Sequence, residues 1–333
     1  MLTDLTIQDR KDIFSSVGAT KRIRGEAVEK DWWVIQVLRV LFSSRYKDSI
    51  VFKGGTSLSK GWHLIERFSE DVDIAINREF LGFAGELTRT QISDKLRRAS
   101  CTFVRTELRE TVESGLLDLG IQKEMFSVVV DSTPVTTTDP ERVFIQYESV
   151  YNSPLSEYVK PKVTIEAGAR SMFDPSSRII IRSFVSEVLS DSSIADPGFE
   201  VNATPAERTF LEKTFLLHEE FHKEGLVRTE RMSRHLYDIE RMMDTPIGQA
   251  INDEDLYLSI IEHRRKFIGL KGFDYNTLRP KTIDIVPPKE VRNEWARDYR
   301  VMQESMIFGD SLSFNELLSR ISELNGRLHG LPF

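Results

Sequence analysis

The sequence has a single cysteine and no long apolar run. Cys101 is the only cysteine among 333 residues, so no intramolecular disulfide can form and a reducing compartment is expected. No stretch approaches the roughly 20 apolar residues that span a bilayer, and the N-terminal segment MLTDLTIQDRKD lacks the apolar centre of a signal peptide. We therefore expect a cytoplasmic protein without membrane contact, in which Cys101 is a small core residue.

The chain also lacks an excess of positive charge. Its net charge is −7, with 45 Lys and Arg against 52 Asp and Glu, so there is no global attraction toward nucleic acid. Contact with RNA would need a local basic groove, which these cations are candidates to form: Lys160, Lys162, Arg264, Arg265, Lys266 and Lys271. The alternative is that they form ordinary solvated faces.

Several familiar ligand-binding patterns are missing as well. Neither the P-loop spacing G-x-x-x-x-G-K-[ST] nor the dinucleotide fingerprint G-x-G-x-x-G occurs. The histidines His63, His218, His222 and His263 lack the H-E-x-x-H spacing and the cysteine neighbours of a zinc site. The glycine pair is therefore neither a P-loop nor a dinucleotide fingerprint, and we expect these histidines to have no role in zinc binding.

Hydrophobic periodicity predicts a mixed N-terminal part and a helical C-terminal part. In the first part we expect helices at 26–42, 56–66 and 91–114, a turn at Gly54-Gly55, and strands at 49–53, 70–76, 126–130, 143–150 and 159–167. In the second part we expect helices at 205–223, 232–243, 256–267, 289–308 and 314–328. The prediction is an α+β fold with a mixed sheet and a helical N-terminal cap in residues 1–190, a linker at 190–204, and a helical lobe at 204–333. Trp32 and Trp33 are expected to anchor the core.

Two carboxylates stand close together on one predicted strand. Asp71 and Asp73 are at positions i and i+2, so both side chains leave the same face of the strand. Paired carboxylates repel unless a cation neutralises them, and Mg²⁺ prefers such oxygen ligands together with nucleotide phosphates. The pair is therefore a candidate magnesium site, and the alternative is a solvated strand edge.

A glycine pair lies upstream of these carboxylates, where a strand passes into a helix. Lys53, Gly54, Gly55, Thr56 and Ser57 form this junction. Glycine lets backbone amides approach a phosphate without a Cβ between them, and a helix N-terminus favours an anion. We predict that these residues bind nucleotide phosphates, with helix capping as the alternative role for Thr56 and Ser57.

A third carboxylate is commonly used in sites that hold two metal ions. Glu166 is our candidate, because Val163 and Ile165 alternate with polar residues as in a half-buried strand. It would complete a metal site with Asp71 and Asp73 and help to deprotonate the attacking hydroxyl. An equally open alternative is a surface glutamate that pairs with Lys162 or Arg170.

Residues 53–60, KGGTSLSK, followed by residues 67–73, RFSEDVD, resemble the AbiEii/AbiGii-type nucleotidyltransferase toxins. These toxins belong to the DNA polymerase β-like nucleotidyltransferase superfamily. Residues 29–34, 207–213, 233–238 and 298–308 also resemble segments of that family, so that the resemblance covers nearly the whole chain in order.

The resemblance implies a polymerase β-like core and a set of site residues. Gly55 with Thr56 or Ser57 would hold phosphates, Asp71 and Asp73 would hold Mg²⁺, Lys213 would contact the nucleotide, and Asp238 would belong to a further site motif. Arg234 in the same motif is a further candidate for nucleotide binding. The alternatives are a solvated Lys213 on an amphipathic helix, and a helix-stabilising pair between His235 and Asp238 at i and i+3.

Together these observations predict a magnesium-dependent nucleotidyltransferase. It would use two Mg²⁺ ions and move a nucleoside monophosphate from an NTP to an acceptor hydroxyl. The resemblance implies the toxin of a toxin–antitoxin or phage-defence system, with a cognate antitoxin and with tRNA as one acceptor. The alternatives are a protein or small-molecule acceptor, and a catalytically silent module that only binds NTP.

Overall fold

The computed structural model describes residues 2–131, 140–151 and 160–333. The described strands are β1 (Ile50–Lys53), β2 (Asp71–Ile76), β3 (Phe126–Val130), β4 (Glu141–Tyr147), β5 (Lys162–Gly168), β6 (Ser177–Ile181) and β7 (Phe199–Ala203). The described α helices are α1 (Ile7–Lys21), α2 (Gly25–Ser43), α3 (Gly54–Lys60), α4 (Arg97–Phe103), α5 (Arg109–Asp118), α6 (Phe184–Val188), α7 (Ala206–His222), α8 (Ser233–Met243), α9 (Glu254–His263), α10 (Arg292–Ser305) and α11 (Phe314–His329). Within these ranges no helix combines the length and the apolar character that crossing a bilayer requires.

The chain divides into two units. The first, here called the sheet unit, comprises Met1–Trp62 and Phe68–Thr204. The second, here called the helical unit, comprises His63–Arg67 and Pro205–Phe333. Short 3₁₀ or π-helical turns lie at Leu2–Asp4, Gln91–Leu96, Val104–Leu108, Lys123–Met125, Pro246–Asn252, Arg264–Ile268, Tyr275–Leu278 and Lys289–Val291.

The sheet unit contains a seven-stranded mixed sheet with the strand order β3-β4-β5-β2-β1-β7-β6. Strand β2 runs parallel to β5, and β1 runs parallel to β7, whereas the remaining neighbours are antiparallel. The predicted mixed sheet with flanking helices is thus confirmed. Of the predicted strand 159–167, Val159 lies outside the described residues.

The linker predicted at 190–204 was wrong, because this segment contains strand β7. Val201 and Ala203 alternate with more exposed neighbours and are buried, and Ala203 pairs with Phe52 of β1. The Thr204 amide then donates to the carbonyl of Phe52 at 2.8 Å. The residues just before β7 are rich in Ser, Asp, Pro and Gly, and this composition led to the prediction of a linker in place of a short strand. The neighbouring strand β6 was not predicted either.

One face of the sheet is covered by helix α2. Trp33 stacks on Tyr147 of β4 with ring centroids 5.0 Å apart, and Trp32 meets Trp33 edge to face at 5.2 Å. Both tryptophans and Cys101 are buried, as predicted. Val72 and Ile74 of β2 are also buried, so their period-two neighbours Asp71 and Asp73 lie on the opposite face.

Helix α3 is shorter and begins earlier than predicted. It starts at Gly54, which was expected in a turn, and it ends at Lys60 rather than at residue 66. Gly61 caps the helix, its amide donating to the carbonyl of Ser57 at 3.0 Å, and His63 beyond it adopts a left-handed φ of 53°. Residues 61–70 therefore run without a helix or a paired strand, apart from one bridge between Arg67 and Ile307.

The helical unit is built from α7 to α11 around an aromatic core. Phe215 meets Tyr257 edge to face at 4.8 Å, and Phe221 packs on Trp295 at 5.1 Å. The helices predicted at 205–223, 232–243 and 314–328 are confirmed as α7, α8 and α11. The predicted helix 289–308 is wrong at its end, since α10 stops at Ser305 and Ile307 pairs with Arg67 as an isolated bridge.

Candidate active site

The two aspartates lie on the face of the sheet that α2 does not cover. Asp73 stands opposite Lys53 of β1 and opposite Glu166 of β5, while Asp71 stands opposite Thr164. Residues directly opposed across a ladder share a face. The register therefore brings Glu166, which lies more than 90 positions further along the chain, to the same surface of the sheet unit as Asp71 and Asp73.

A row of four charges crosses this face on four neighbouring strands. It consists of Lys53, Asp73, Glu166 and Arg142, in that order, and is here called the charge row. Arg142 Nε donates to Glu166 Oε1 at 2.9 Å, and Lys53 Nζ donates to Ser171 Oγ at 3.0 Å. Two carboxylates thus lie between two cations. Glu166 does form an ion pair, with Arg142 as a partner that the sequence alone did not indicate.

Gly54 is in contact with the carboxylate of Asp73. Its φ is +79°, and a Cβ at this position would lie 2.0 Å from Asp73 Oδ2 and 2.8 Å from Asp73 Cγ. Both the backbone conformation and the space therefore require glycine. The carboxylate of Asp73, a candidate metal ligand, occupies the space that a Cβ at residue 54 would fill.

The hydroxyls of Thr56 and Ser57 are engaged within the sheet unit. Thr56 Oγ1 donates to the carbonyl of Asp71 at 2.5 Å and lies 3.0 Å from Ser69 Oγ. Ser57 Oγ donates to the carbonyl of Gly54 at 2.8 Å, and both side chains are buried. Thr56 thus joins helix α3 to the first residue of β2. A role for these hydroxyls in phosphate binding stays a prediction.

The donor chemistry of this face fits a hard divalent cation. Asp71 and Asp73 project half-exposed carboxylates from one face of β2, and carboxylate oxygens completed by substrate phosphates and waters are the usual ligands of Mg²⁺. Among the described residues, no group of three or more His, Cys, Asp or Glu side chains is arranged to hold a metal ion. The part of Glu166 as a third ligand therefore stays a prediction.

The helical unit contains a buried cluster of charges around Asp238. Arg67 donates to both carboxylate oxygens of Asp238, at 2.6 and 2.8 Å, and Lys213 Nζ lies 3.0 Å from Oδ2. Lys213 Nζ also lies 3.4 Å from His235 Nδ1. Because Lys213 is only 8% exposed, the alternative of a solvated lysine is wrong. The sequence analysis did not single out Arg67 as a partner of Asp238, although it lies in the segment that carries the family resemblance.

The charges of this cluster control its protonation. Burial alone would raise the pKa of Asp238, but Arg67 and Lys213 outweigh that effect and hold this pKa well below its usual value. Burial lowers the pKa of Lys213, while Asp238 acts in the opposite direction. Burial, Lys213 and Arg234 together hold the pKa of His235 well below its usual value. At neutral pH the cluster thus holds an ionised carboxylate beside a neutral imidazole.

Two cations of the predicted basic groove form ion pairs with carboxylates. Arg264 donates to Glu219 at 2.6 and 2.5 Å and is largely buried, and Arg265 donates to Glu262 at 2.7 Å. Arg264 thus uses two of its three guanidinium nitrogens inside the helical unit, and the basic groove stays a prediction.

The chain matches the model of a known protein family. The model of the family described as nucleotidyl transferase AbiEii toxin, type IV toxin–antitoxin system, matches residues 36–320. The matched segment includes Gly54, Asp71, Asp73, Glu166 and the cluster around Asp238. No individual curated protein matched the chain.

Proposed function

Since the chain belongs to the AbiEii family of nucleotidyltransferase toxins, we propose that it transfers a nucleoside monophosphate from an NTP to an acceptor hydroxyl on the face that carries Asp71 and Asp73. The single observation that carries this proposal is the placement of both aspartates on one face of β2 with Gly54 against Asp73. The core is proposed to be of the polymerase β-like type, and the reaction to fall in the general class of phosphoryl-group transferases that release pyrophosphate.

In this reaction the acceptor oxygen forms a bond to the α-phosphorus while the bond to the pyrophosphate oxygen breaks. Asp71 and Asp73 would hold Mg²⁺, which when bound neutralises phosphate charge and lowers the pKa of the attacking hydroxyl. Glu166 is proposed as the acceptor of the hydroxyl proton and as a ligand of a second ion. Lys53, on the neighbouring strand, adds positive charge beside Asp73.

The protein's own contribution is to keep these groups in place before substrate binds. The close approach of Gly54 restricts where the Asp73 carboxylate can lie, and Thr56 fixes the backbone of Asp71. Such preorganisation is expected to supply much of the rate enhancement, since phosphoryl transfer depends on positioning and charge neutralisation.

Lys213 and Arg234 are proposed to contact the phosphates of the nucleotide. A cation near the leaving pyrophosphate would offset the negative charge that grows there. The ion pair of Lys213 with Asp238, itself held by the two nitrogens of Arg67, restricts the position of the lysine ammonium. Asp238 acts in this scheme as the residue that orients Lys213.

The first test is transfer of label from each α-labelled NTP, with Mg²⁺, to total bacterial RNA or protein. We expect one acceptor to become labelled by the wild type and not by Asp71→Asn or Asp73→Asn. Asp118→Asn, which changes an exposed aspartate at the end of α5, is the matched control and should retain activity. Label transfer by both site variants would refute the assignment.

The acceptor is proposed to be an RNA, and tRNA is one candidate that the family resemblance implies. The proposed role in the cell is that of a toxin restrained by a cognate antitoxin, or of a phage-defence component. Label that is lost on ribonuclease treatment would support an RNA acceptor. Label that resists ribonuclease and is released by protease would instead support transfer to protein. Nucleotide binding without pyrophosphate release would support the silent binding module.

A further inference from the structure

Three consecutive charged residues are buried on helix α2. Glu29, Lys30 and Asp31 are each no more than 3% exposed. Charged side chains are rarely buried unless they are paired, because removing them from water is costly. The sequence marks this segment only as one of those that resemble the family, and the transfer mechanism above assigns it no part.

Lys30 reaches the start of the strand that carries the acid pair. Its ammonium forms an ion pair with Glu70, and both side chains are buried. Glu70 immediately precedes Asp71, the first residue of β2. Helix α2 therefore holds, through one buried ion pair, the backbone position from which Asp71 and Asp73 extend.

Asp31 reaches the other end of the same chain segment. Its carboxylate lies 3.0 Å from the ammonium of Lys60, the last residue of α3, and accepts from the amide of Phe184 at 2.6 Å. Lys60 also donates to Glu187 at 3.2 Å. Lys60 is the last residue of the helix that begins with Gly54. Through Lys60, Asp31 therefore holds the helix that carries the glycine pair of the candidate active site.

Between these two anchors the chain has little regular structure of its own. Residues 61–70 form neither a helix nor a paired strand, apart from the bridge at Arg67. The distance between α3 and β2 is therefore not set by a continuous element. Contacts set it instead. One is the hydrogen bond from Thr56 to the Asp71 carbonyl, and the others are the ion pairs of two adjacent residues on a 19-residue helix, whose backbone keeps neighbouring side chains at a constant spacing.

We propose that Lys30 and Asp31 are positioning residues, which fix the start of β2 and the end of α3 relative to each other and so hold Asp73 against Gly54. The inference rests on the proposed function of this face. Stability alone does not explain the arrangement, because replacing a buried ion pair with well-packed apolar residues is often neutral or stabilising. Unlike an ion pair, an apolar pair makes no directional contact that would fix one distance between α2 and the start of β2.

The test compares the wild type with Lys30→Met/Glu70→Leu, which replaces the ion pair with apolar side chains of similar length. We expect this variant to unfold at a temperature close to that of the wild type and to show a kcat lower by about 10- to 100-fold, with KM for NTP little changed. Glu29→Gln is the matched control, because Glu29 contacts Ser149 and Val150 beyond β4 and not the acid strand. Its kcat should stay within about 2-fold of the wild type.

Hydrogen exchange gives a readout that does not need activity. In the double variant we expect faster exchange of the amides in residues 69–73 and unchanged exchange in β3 and β4. Wild-type kcat together with unchanged exchange at 69–73 would overturn the proposal. If no protein transfers label, the proposed function fails, and the exchange pattern alone then supports or overturns the positioning role.

Discussion

The contact between Gly54 and Asp73 leads to the sharpest prediction about this site. In Gly54→Ala the new Cβ would lie 2.0 Å from Asp73 Oδ2 and 3.1 Å from Asp73 Cβ. Carbon atoms in contact need about 3.5 Å. Rotation of the Asp73 side chain can move the oxygen away but not its Cβ, so that either β2 or the start of α3 must also shift.

Two separable costs follow from this geometry. The first is the left-handed backbone at residue 54, which costs an L-residue about 1–2 kcal/mol and should lower the melting temperature by about 2–8 °C. The second is displacement of the Asp73 carboxylate by at least ~1 Å, which for a catalytic group costs on the order of 100-fold in rate. The second cost corresponds to about 2.7 kcal/mol of transition-state stabilisation.

Gly82→Ala separates the two costs experimentally. Gly82 has a φ of +87°, and a Cβ there would meet nothing within 4 Å. It should therefore show the loss of stability without the loss of transfer activity, whereas Gly54→Ala should show both. Label transfer from an α-labelled NTP, measured beside thermal unfolding of both variants, makes the comparison. Equal activity of the two variants would refute the claim that Gly54 positions Asp73.

Three further predictions follow. Asp238→Asn should lower the free energy of unfolding at pH 7 by about 3–5 kcal/mol, because it leaves buried cations without their counter-charge. The pKa of Asp238 is depressed in the folded protein. The difference in unfolding free energy between wild type and variant, measured by urea unfolding, should therefore hold at neutral pH and shrink only below the unfolded pKa of about 3.9. Equal stability of the two proteins at pH 7 would contradict this prediction. Arg142→Gln should release Glu166 and tighten Mn²⁺ binding, an effect that should vanish in Arg142→Gln/Glu166→Gln; unchanged or weaker binding in the single variant would argue against Glu166 as a ligand. EDTA should abolish label transfer and added Mg²⁺ should restore it, whereas transfer that persists in EDTA would exclude the metal-dependent mechanism.

The local part of the site could be predicted from the sequence. Strand β2 carries buried Val72 and Ile74 between polar neighbours, and the period of two places Asp71 and Asp73 on one face without knowledge of the rest of the fold. Glu166 was found in the same way, as a polar position on a half-buried strand. The sequence did not predict that Glu166 pairs with Asp73 across β2 and β5 or that it forms an ion pair with Arg142. Strand order and register depend on contacts between residues distant in sequence.

The errors share one physical origin. Strand β7 pairs with β1 through residues that lie about 150 positions apart, and its composition resembles that of a loop. Helix α3 ends at Lys60, whose ammonium forms an ion pair with Asp31 of α2, a contact that periodicity does not reveal. The buried pairs of Arg67 with Asp238 and of Lys30 with Glu70 likewise join distant segments. Periodicity reports which face of an element is apolar, whereas these features depend on which elements become neighbours.

The structure gives Gly54 a role that the prediction of phosphate binding did not include. In a P-loop, glycine allows backbone amides to approach a phosphate, whereas here Gly54 accommodates the carboxylate of Asp73. Gly54 directly follows Lys53, which pairs with Asp73 between β1 and β2, so this pairing brings Gly54 next to Asp73. The chain between them leaves regular structure for ten residues, so its length does not determine that contact. Register on one side and the anchors on α2 on the other determine it, and a change at Lys30, outside both motifs, should therefore reduce transfer as a change at Gly54 does.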